Sequence, residues 1–241
     1  MNGFAYDLHI HTALSPCGDE DMTPNNIANM AYLKGLDIIA VTDHNSCRNA
    51  AAVMKCGEKN GITVIPGMEV ETSEEVHMVC LFKTLEAAYE MEKTVSKNLP
   101  YIKNREDIFG RQLVMDENDE ITAVKENLLI CAANLSVYDV FDAVKSIGGI
   151  VFPAHIDKNS YSIISNLGTV PKELDFECAE IKDKLKTDEI TAKHGLENLK
   201  ILHNSDAHYL ENISERDNFL HAESRDILAI FDSLRRNIRK N

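Results

Sequence analysis

The stretch Leu36-Asp-Ile-Ile-Ala-Val-Thr42 is a short apolar run that ends abruptly in Asp43-His44. Rich in β-branched side chains and bounded by Gly35 and an acid, it reads as a strand buried on both faces. Upstream, Phe4 to Ile10 reads as a second strand, and Thr23-Pro24 opens a helix with an N-cap and a proline at the first helical position. Ile27, Met30 and Ala31 give that helix one apolar face before Gly35 closes it. Downstream, a helix around Asn49 to Lys59 leads to Ile62 to Ile65, then Pro66-Gly67 and the segment Met68-Glu69-Val70. A strand at Val76 to Phe82 and a helix at Thr84 to Lys97 follow. Apolar runs alternating with amphipathic helices are the signal of βαβ units, so an α/β fold with a mostly parallel sheet is expected.

From Leu99 to Asn127 the pattern loosens. Arg111 to Lys125 reads as two short strands around Asp116-Glu117-Asn118-Asp119-Glu120, an exposed β-hairpin inserted in the main fold. That acidic turn lacks the spacing of an EF-hand and reads as a solvated tip. Order returns with Ser136 and Asp139, a capping box for a helix through Val140, Val144 and Ile147 that Gly148-Gly149 ends. Strands are expected at Ile150 to Ala154, Leu174 to Ile181 and Leu199 to His203. Ile227, Ile230, Phe231, Leu234 and Ile238 stripe a closing helix. A chain of 241 residues suits one domain over 1–241, with 99–127 as an insertion.

Against 39 acids stand 25 lysines and arginines, a formal charge of −14. This balance argues against long nucleic acid or an anionic membrane as partner and leaves a small phosphorylated substrate as the expected one. No apolar run of membrane-spanning length occurs. The start, MNGFAYDLHIHT, carries no secretory signal pattern. Six cysteines never reach CxxC spacing, which suits reduced thiols and a cytoplasmic location. Nothing in the sequence bears on oligomeric state.

The nine histidines are the unusual feature, because several close apolar runs. His9 and His11 lie two apart on a strand, so both imidazoles face one side, and Asp7 on that side is placed to accept the second ring N–H of a ligating histidine. His44 follows the second strand and Glu69 follows VIPGM. His77 sits in the next strand, His155 ends IVFPAH, and Asp206 and His208 follow ILHNS. Asp19 lies in the polar loop after the first strand. In parallel α/β folds the loops past the strands' C-terminal ends converge on one rim, so the recurrence predicts a multinuclear metal site. Six imidazoles and three carboxylates suit Zn²⁺, Mn²⁺ or Fe²⁺, and the lack of a thiolate cluster argues against a structural zinc site. Cys17 reads as a loop thiol; Arg48, Arg105 and Lys158 as solvated cations; His194, His203 and His221 as structural.

The motifs Asp7-Leu-His9-Ile-His11, Thr42-Asp43-His44, Pro66-Gly67-Met68-Glu69, Pro153-Ala154-His155 and Ser205-Asp206-Ala207-His208 resemble, in the same order, those of the PHP (polymerase and histidinol phosphatase) family. The resemblance implies a distorted, TIM-like (β/α)7 barrel with two to three divalent ions, manganese or zinc being favoured. It implies the ligand set His9, His11, Asp19, His44, Glu69, His77, His155, Asp206 and His208. Glu69 would bridge, with His9, His11 and Asp206 on one ion, His77 and His155 on a second, and Asp19, His44 and His208 on a third.

A metal-activated hydroxide attacking phosphorus is the matching chemistry, so the expected enzyme is a phosphatase acting on a phosphate monoester of a small molecule or nucleotide. His208 is a candidate for a direct catalytic part, with Asp7 acting from behind the ligands. Two other readings are an amidohydrolase-type metal hydrolase, which also begins with HxH on its first strand, and a non-catalytic metal-binding regulatory module. Neither a GxxxxGK[ST] loop nor a GxSxG elbow occurs.

Overall fold

The computed structural model describes residues 1–235. The first half of the chain runs β1 (Asn2–Ile10), α1 (Pro24–Leu33), β2 (Ile38–Val41), α2 (Ala50–Lys59), β3 (Thr63–Glu71), β4 (His77–Leu81) and α3 (Leu85–Asn98). A looser stretch holds α4 (Glu106–Phe109), β5 (Leu113–Met115) and β6 (Ile121–Val124). Then come α5 (Val137–Ser146), β7 (Ile150–Pro153), α6 (Ile163–Leu167), β8 (Cys178–Glu180), α7 (Thr187–His194), β9 (Lys200–Leu202), β10 (Phe219–Ala222) and α8 (Ile227–Arg235).

Local chemistry accounts for the helix starts. Thr23 accepts from the Asn26 N–H ahead of Pro24, Thr84 caps α3, and Ser136 with Asp139 forms a reciprocal capping box on α5. The stripe of α8 buries Ile230, Phe231 and Leu234 against the sheet; Ile238 lies outside the described residues. Among the described residues no helix is long and apolar enough to cross a membrane, and all six cysteines are unpaired.

Six strands form a curled half-barrel sheet in the order β10-β1-β2-β3-β4-β7, and β8 and β9 make a separate parallel pair. Sheet and pair meet at the ends that carry the histidines. There the Ile156 N–H donates to the Glu180 carbonyl at 2.9 Å, and the His11 N–H donates to the Ala207 carbonyl at 3.0 Å. One expectation fails in detail, because the sheet is mixed. β1, β2 and β3 are parallel, but β4 runs antiparallel to both β3 and β7, and β10 runs antiparallel to β1. Only the residues from Thr72 to Val76 separate β3 from β4, which is hairpin length and too short for a parallel crossover. β10 escaped the sequence reading because its four residues, Phe-Leu-His-Ala, carry too little pattern to separate from a loop.

Within the segment 99–127, β6 is exposed along its length while β5 is tied to the main fold. β5 pairs antiparallel with β6, and the Leu113 N–H donates to the Ala13 carbonyl at 2.8 Å. The Asn49 side chain donates to the Leu113 carbonyl and accepts from the Met115 N–H, both at 2.9 Å. Asp119 is no free tip. Its carboxylate accepts from the Thr23 hydroxyl at 2.9 Å and from the Asn25 N–H at 3.0 Å, placing an anion at the N-terminus of α1.

Candidate metal centre

Glu69, buried in β3, is the point on which the rim converges. Its Oε1 lies 3.0 Å from His77 Nδ1, 3.3 Å from His9 Nε2 and 3.4 Å from His155 Nε2. Its Oε2 lies 3.2 Å from His44 Nδ1 and 3.4 Å from His11 Nε2. Five imidazole nitrogens thus surround one carboxylate, yet neither oxygen makes a hydrogen bond of sound geometry among the described residues. His44 Nδ1, His77 Nε2 and His155 Nδ1 are buried in the same condition. Buried polar atoms are otherwise almost always satisfied, and five protonated imidazoles could not share so small a volume. Imidazole nitrogens and carboxylate oxygens crowded on one point are reconciled by cations, and this donor set suits borderline divalent ions.

Three groups of donors converge within 4.8 Å: His9, His11, Glu69 and Asp206; His44, Glu69 and His77; and His11, His44 and His208. The first matches the cluster expected around Glu69. Elsewhere the grouping departs from expectation, with His44 beside His77 and His11 beside His208. His155 reaches Glu69 but joins none of the three groups. Asp19 is set apart too. Its N–H donates to the His208 carbonyl at 2.9 Å while its carboxylate accepts from the Asp21 N–H. The five residues from Ser15 to Asp19 form turns that hold the acid by its backbone. His155 and Asp206 hold positive φ angles of 29° and 52°, conformations that cost non-glycine residues on the order of 1 kcal/mol each.

Groups behind this ring fix which nitrogen faces inward. Glu180, fully buried at the end of β8, sits 3.0 Å from His9 Nδ1, leaving His9 Nε2 for the centre. The same carboxylate accepts from the His155 N–H at 3.0 Å and from the Asn204 amide at 2.7 Å. His11 Nδ1 is 3.0 Å from the Ser15 hydroxyl, which donates to Asp43 at 2.7 Å. Asp43 also accepts from the Thr12 N–H and hydroxyl at 2.7 and 2.8 Å. Asp7 does something other than expected. Its carboxylate accepts from the backbone N–H groups of Ser205, Ser214 and, at 3.4 Å, His9, so it ties the Asp206 loop to β1 and touches no imidazole.

Sequence reasoning passed over Glu180 and assigned Lys158 to the solvated surface. The available signal for Glu180 was an acid closing an otherwise apolar strand two residues after Cys178. Lys158 is no solvated cation: its Nζ lies 2.6 Å from Asp206 Oδ2, with Lys182 Nζ at 3.4 Å from the same oxygen. Arg48 and Arg105 pair with Glu92 and Asp107 instead. His203 hydrogen-bonds the Ile181 carbonyl, and His221 lies on β10.

The electrostatics follow from this packing. Burial works against charge on His9, but Glu180, Glu69 and Asp206 outweigh it and hold the imidazole well above its ordinary value. Burial likewise opposes His77, and Glu69 raises it to about 9. His44 goes the other way, held well below its ordinary value by burial. Burial and the nearby His11 push His208 down to about 3, so it is neutral at physiological pH and suits a ligand rather than a proton donor. Glu69 and Asp206 are both held low despite burial, through the imidazoles around them.

A family model described as the PHP domain matches residues 7–172. The chain belongs to the PHP family. PHP domains are metal-dependent hydrolases that bind several divalent ions and act on phosphoesters. Among curated proteins, the chain is 33% identical over 100 residues to the uncharacterized protein MJ1587 of Methanocaldococcus jannaschii, an alignment covering 38% of this chain and 58% of the relative. It is 30% identical over 79 residues to a 5′-3′ exoribonuclease of Haemophilus influenzae, covering 32% of this chain and 28% of that protein. Among solved structures, an endonuclease Q in complex with a 27-mer duplex bearing an abasic lesion at its active site shares the fold at a TM-score of 0.70 and 20% identity, over 97% of this chain and 56% of the other. The chain therefore spans just over half the length of the archaeal relative and of the endonuclease.

That last structure overturns one expectation. The net charge of −14 was read as excluding long nucleic acid and leaving only a small substrate, yet a chain of this fold holds a DNA duplex at its active site. Net charge describes the far field; a PHP site is a local arrangement of donors whose sign is set by what it binds.

Proposed function

We propose that this PHP protein is a metal-dependent hydrolase of nucleotide phosphoesters, nucleic-acid strands included. The observation that carries the reading is the Glu69 carboxylate enclosed by five imidazole nitrogens at 3.0–3.4 Å. His9, His11, His44, Glu69, His77, His155, Asp206 and His208 would hold the ions, with Asp19 the remaining candidate from the loop after β1. We read β1, β2, β3, β4 and β7 with the β8–β9 pair as the family's distorted seven-stranded barrel, in one domain, β10 being an added antiparallel edge strand.

Divalent ions bound there supply Lewis acidity at phosphorus and a nucleophile at neutral pH. The chain's own groups do the rest. Glu180 and Ser15 engage Nδ1 of His9 and His11, which turns Nε2 of each toward the ions. Lys158 and Lys182 bring two ammonium groups to the mouth beside Asp206, where a phosphoryl oxygen would approach, and both retain enough exposure to turn toward it. A cavity of about 200 Å³ lined by His44, Glu69, His155, Lys158, Tyr161 and Asp206 has room for a phosphoryl group and its immediate substituent.

The test is a product screen on the Mn²⁺- or Zn²⁺-loaded protein over nucleotides, 5′-phosphorylated and abasic oligonucleotides, and cyclic amides. Phosphoester cleavage that His44→Ala and Asp206→Ala abolish with the fold intact supports the reading. Amide turnover without phosphoester cleavage, or unchanged cleavage in both variants, defeats it.

A further inference from the structure

Tyr161 is hard to explain by packing. It lines the metal cavity from the loop between β7 and α6, three residues after Lys158. Its backbone sits at φ 54°, a left-handed conformation that a bulky side chain rarely adopts. The residue is 46% exposed, so burial is not what holds it there. One ring face lies against His77, with centroids 4.8 Å apart and planes 25° from parallel, and the Tyr161 carbonyl accepts the His77 N–H at 3.0 Å. Tyr161 shares the cavity wall with Lys158 and Ile130. A left-handed backbone that keeps a half-exposed tyrosine at the wall of this cavity calls for an account other than packing.

We propose that Tyr161 is a stacking platform for the nucleobase adjoining the scissile phosphate, a specificity element of the site proposed above. The geometry supplies both halves of a nucleotide contact from one loop: an ammonium group at Lys158 for the phosphate and a π-face at Tyr161 for the base. Every base has a π-face, so this contact selects nucleotides over base-free sugar phosphates without reading sequence.

The inference rests on the nucleotide reading, and its test can fail separately. Calorimetric binding of AMP and of ribose 5-phosphate to the Mn²⁺-loaded protein gives the base preference directly, with KM replacing Kd for whichever is turned over. The preference for AMP should fall by about tenfold in Tyr161→Ala and return in Tyr161→Phe, with bound metal unchanged by elemental analysis. Equal losses for both ligands, or loss of metal in Tyr161→Ala, would show that the ring only props His77 and overturn the proposal. An unaltered AMP preference in Tyr161→Ala would overturn it too. If the phosphoester screen fails while the base preference follows Tyr161, the hydrolase reading falls and the platform stands.

Discussion

Glu180 holds His9 Nδ1 at 3.0 Å, and this contact decides that His9 meets Glu69 through Nε2. The carboxylate that orients the ligand lies on β8 and the ligand on β1, so this contact joins the backbone hydrogen bonds that couple the separate strand pair to the main sheet. Glu180→Gln keeps the volume but can offer a donor where the imidazole needs an acceptor. It should weaken metal binding by about 10–100-fold, measured by competition against a chelating dye. Affinity equal to that of the parent protein would mean that His9 is oriented by other groups.

Asp43 anchors His11 at one remove, through Ser15. It is fully buried and accepts three hydrogen bonds, two of them at 2.7 Å. In Asp43→Asn an amide N–H₂ must face at least one of those donors, so unfolding should become easier by about 1–3 kcal/mol. Chemical denaturation of the metal-free protein reads this without interference from bound ions. The loss should be accompanied by weaker metal binding, because the neutral amide oxygen left for Ser15 is a poorer acceptor than the carboxylate and holds the hydroxyl beside His11 less firmly.

Gly18 lies in the loop between the His9-x-His11 strand and α1, where a Cβ would sit 2.5 Å from the Thr12 carbonyl oxygen and 3.2 Å from that of Ser15. Both contacts are backbone, so neither can turn aside. Gly18→Ala should cost about 1–3 kcal/mol in thermal or denaturant unfolding and displace Ser15 from His11. A neutral substitution would show that the loop rearranges freely.

Metal binding should take up base. In the metal-free protein His77 titrates near 9 and His9 well above its ordinary value, so both carry protons at neutral pH. Each ion that displaces such a proton gains about tenfold in affinity per pH unit, with affinity rising toward pH 9 and falling in acid. Calorimetry in buffers of different ionisation enthalpy between pH 6.5 and 8.5 counts the protons released. A count of zero would contradict the assignment of these imidazoles as ligands.

Much of this was legible in the chain itself. Period-two spacing puts His9 and His11 on one face, and acids or imidazoles at the ends of apolar runs mark the rim from the sequence alone. The helix starts at Thr23, Thr84 and Ser136 were equally plain, because capping is a local interaction. What stayed hidden depends on contacts between distant segments. Asp7 shares a face with His9, but which groups reach its carboxylate is set by Ser205 and Ser214, some two hundred residues away. Glu180 and Lys158 act through partners on distant segments of the chain, and the antiparallel run of β4 follows from a connection length that the apolar pattern blurred. Net charge misled for the opposite reason: it averages over the whole surface, whereas binding is decided at one rim.

The central claim is that Glu69 joins the ions of a multinuclear centre. Elemental analysis of the purified, dialysed protein and of Glu69→Ala tests it most directly. The account predicts at least two divalent ions per parent chain, at most one in the variant, and loss of phosphoester cleavage with them. The same metal content in Glu69→Ala as in the parent protein would contradict it.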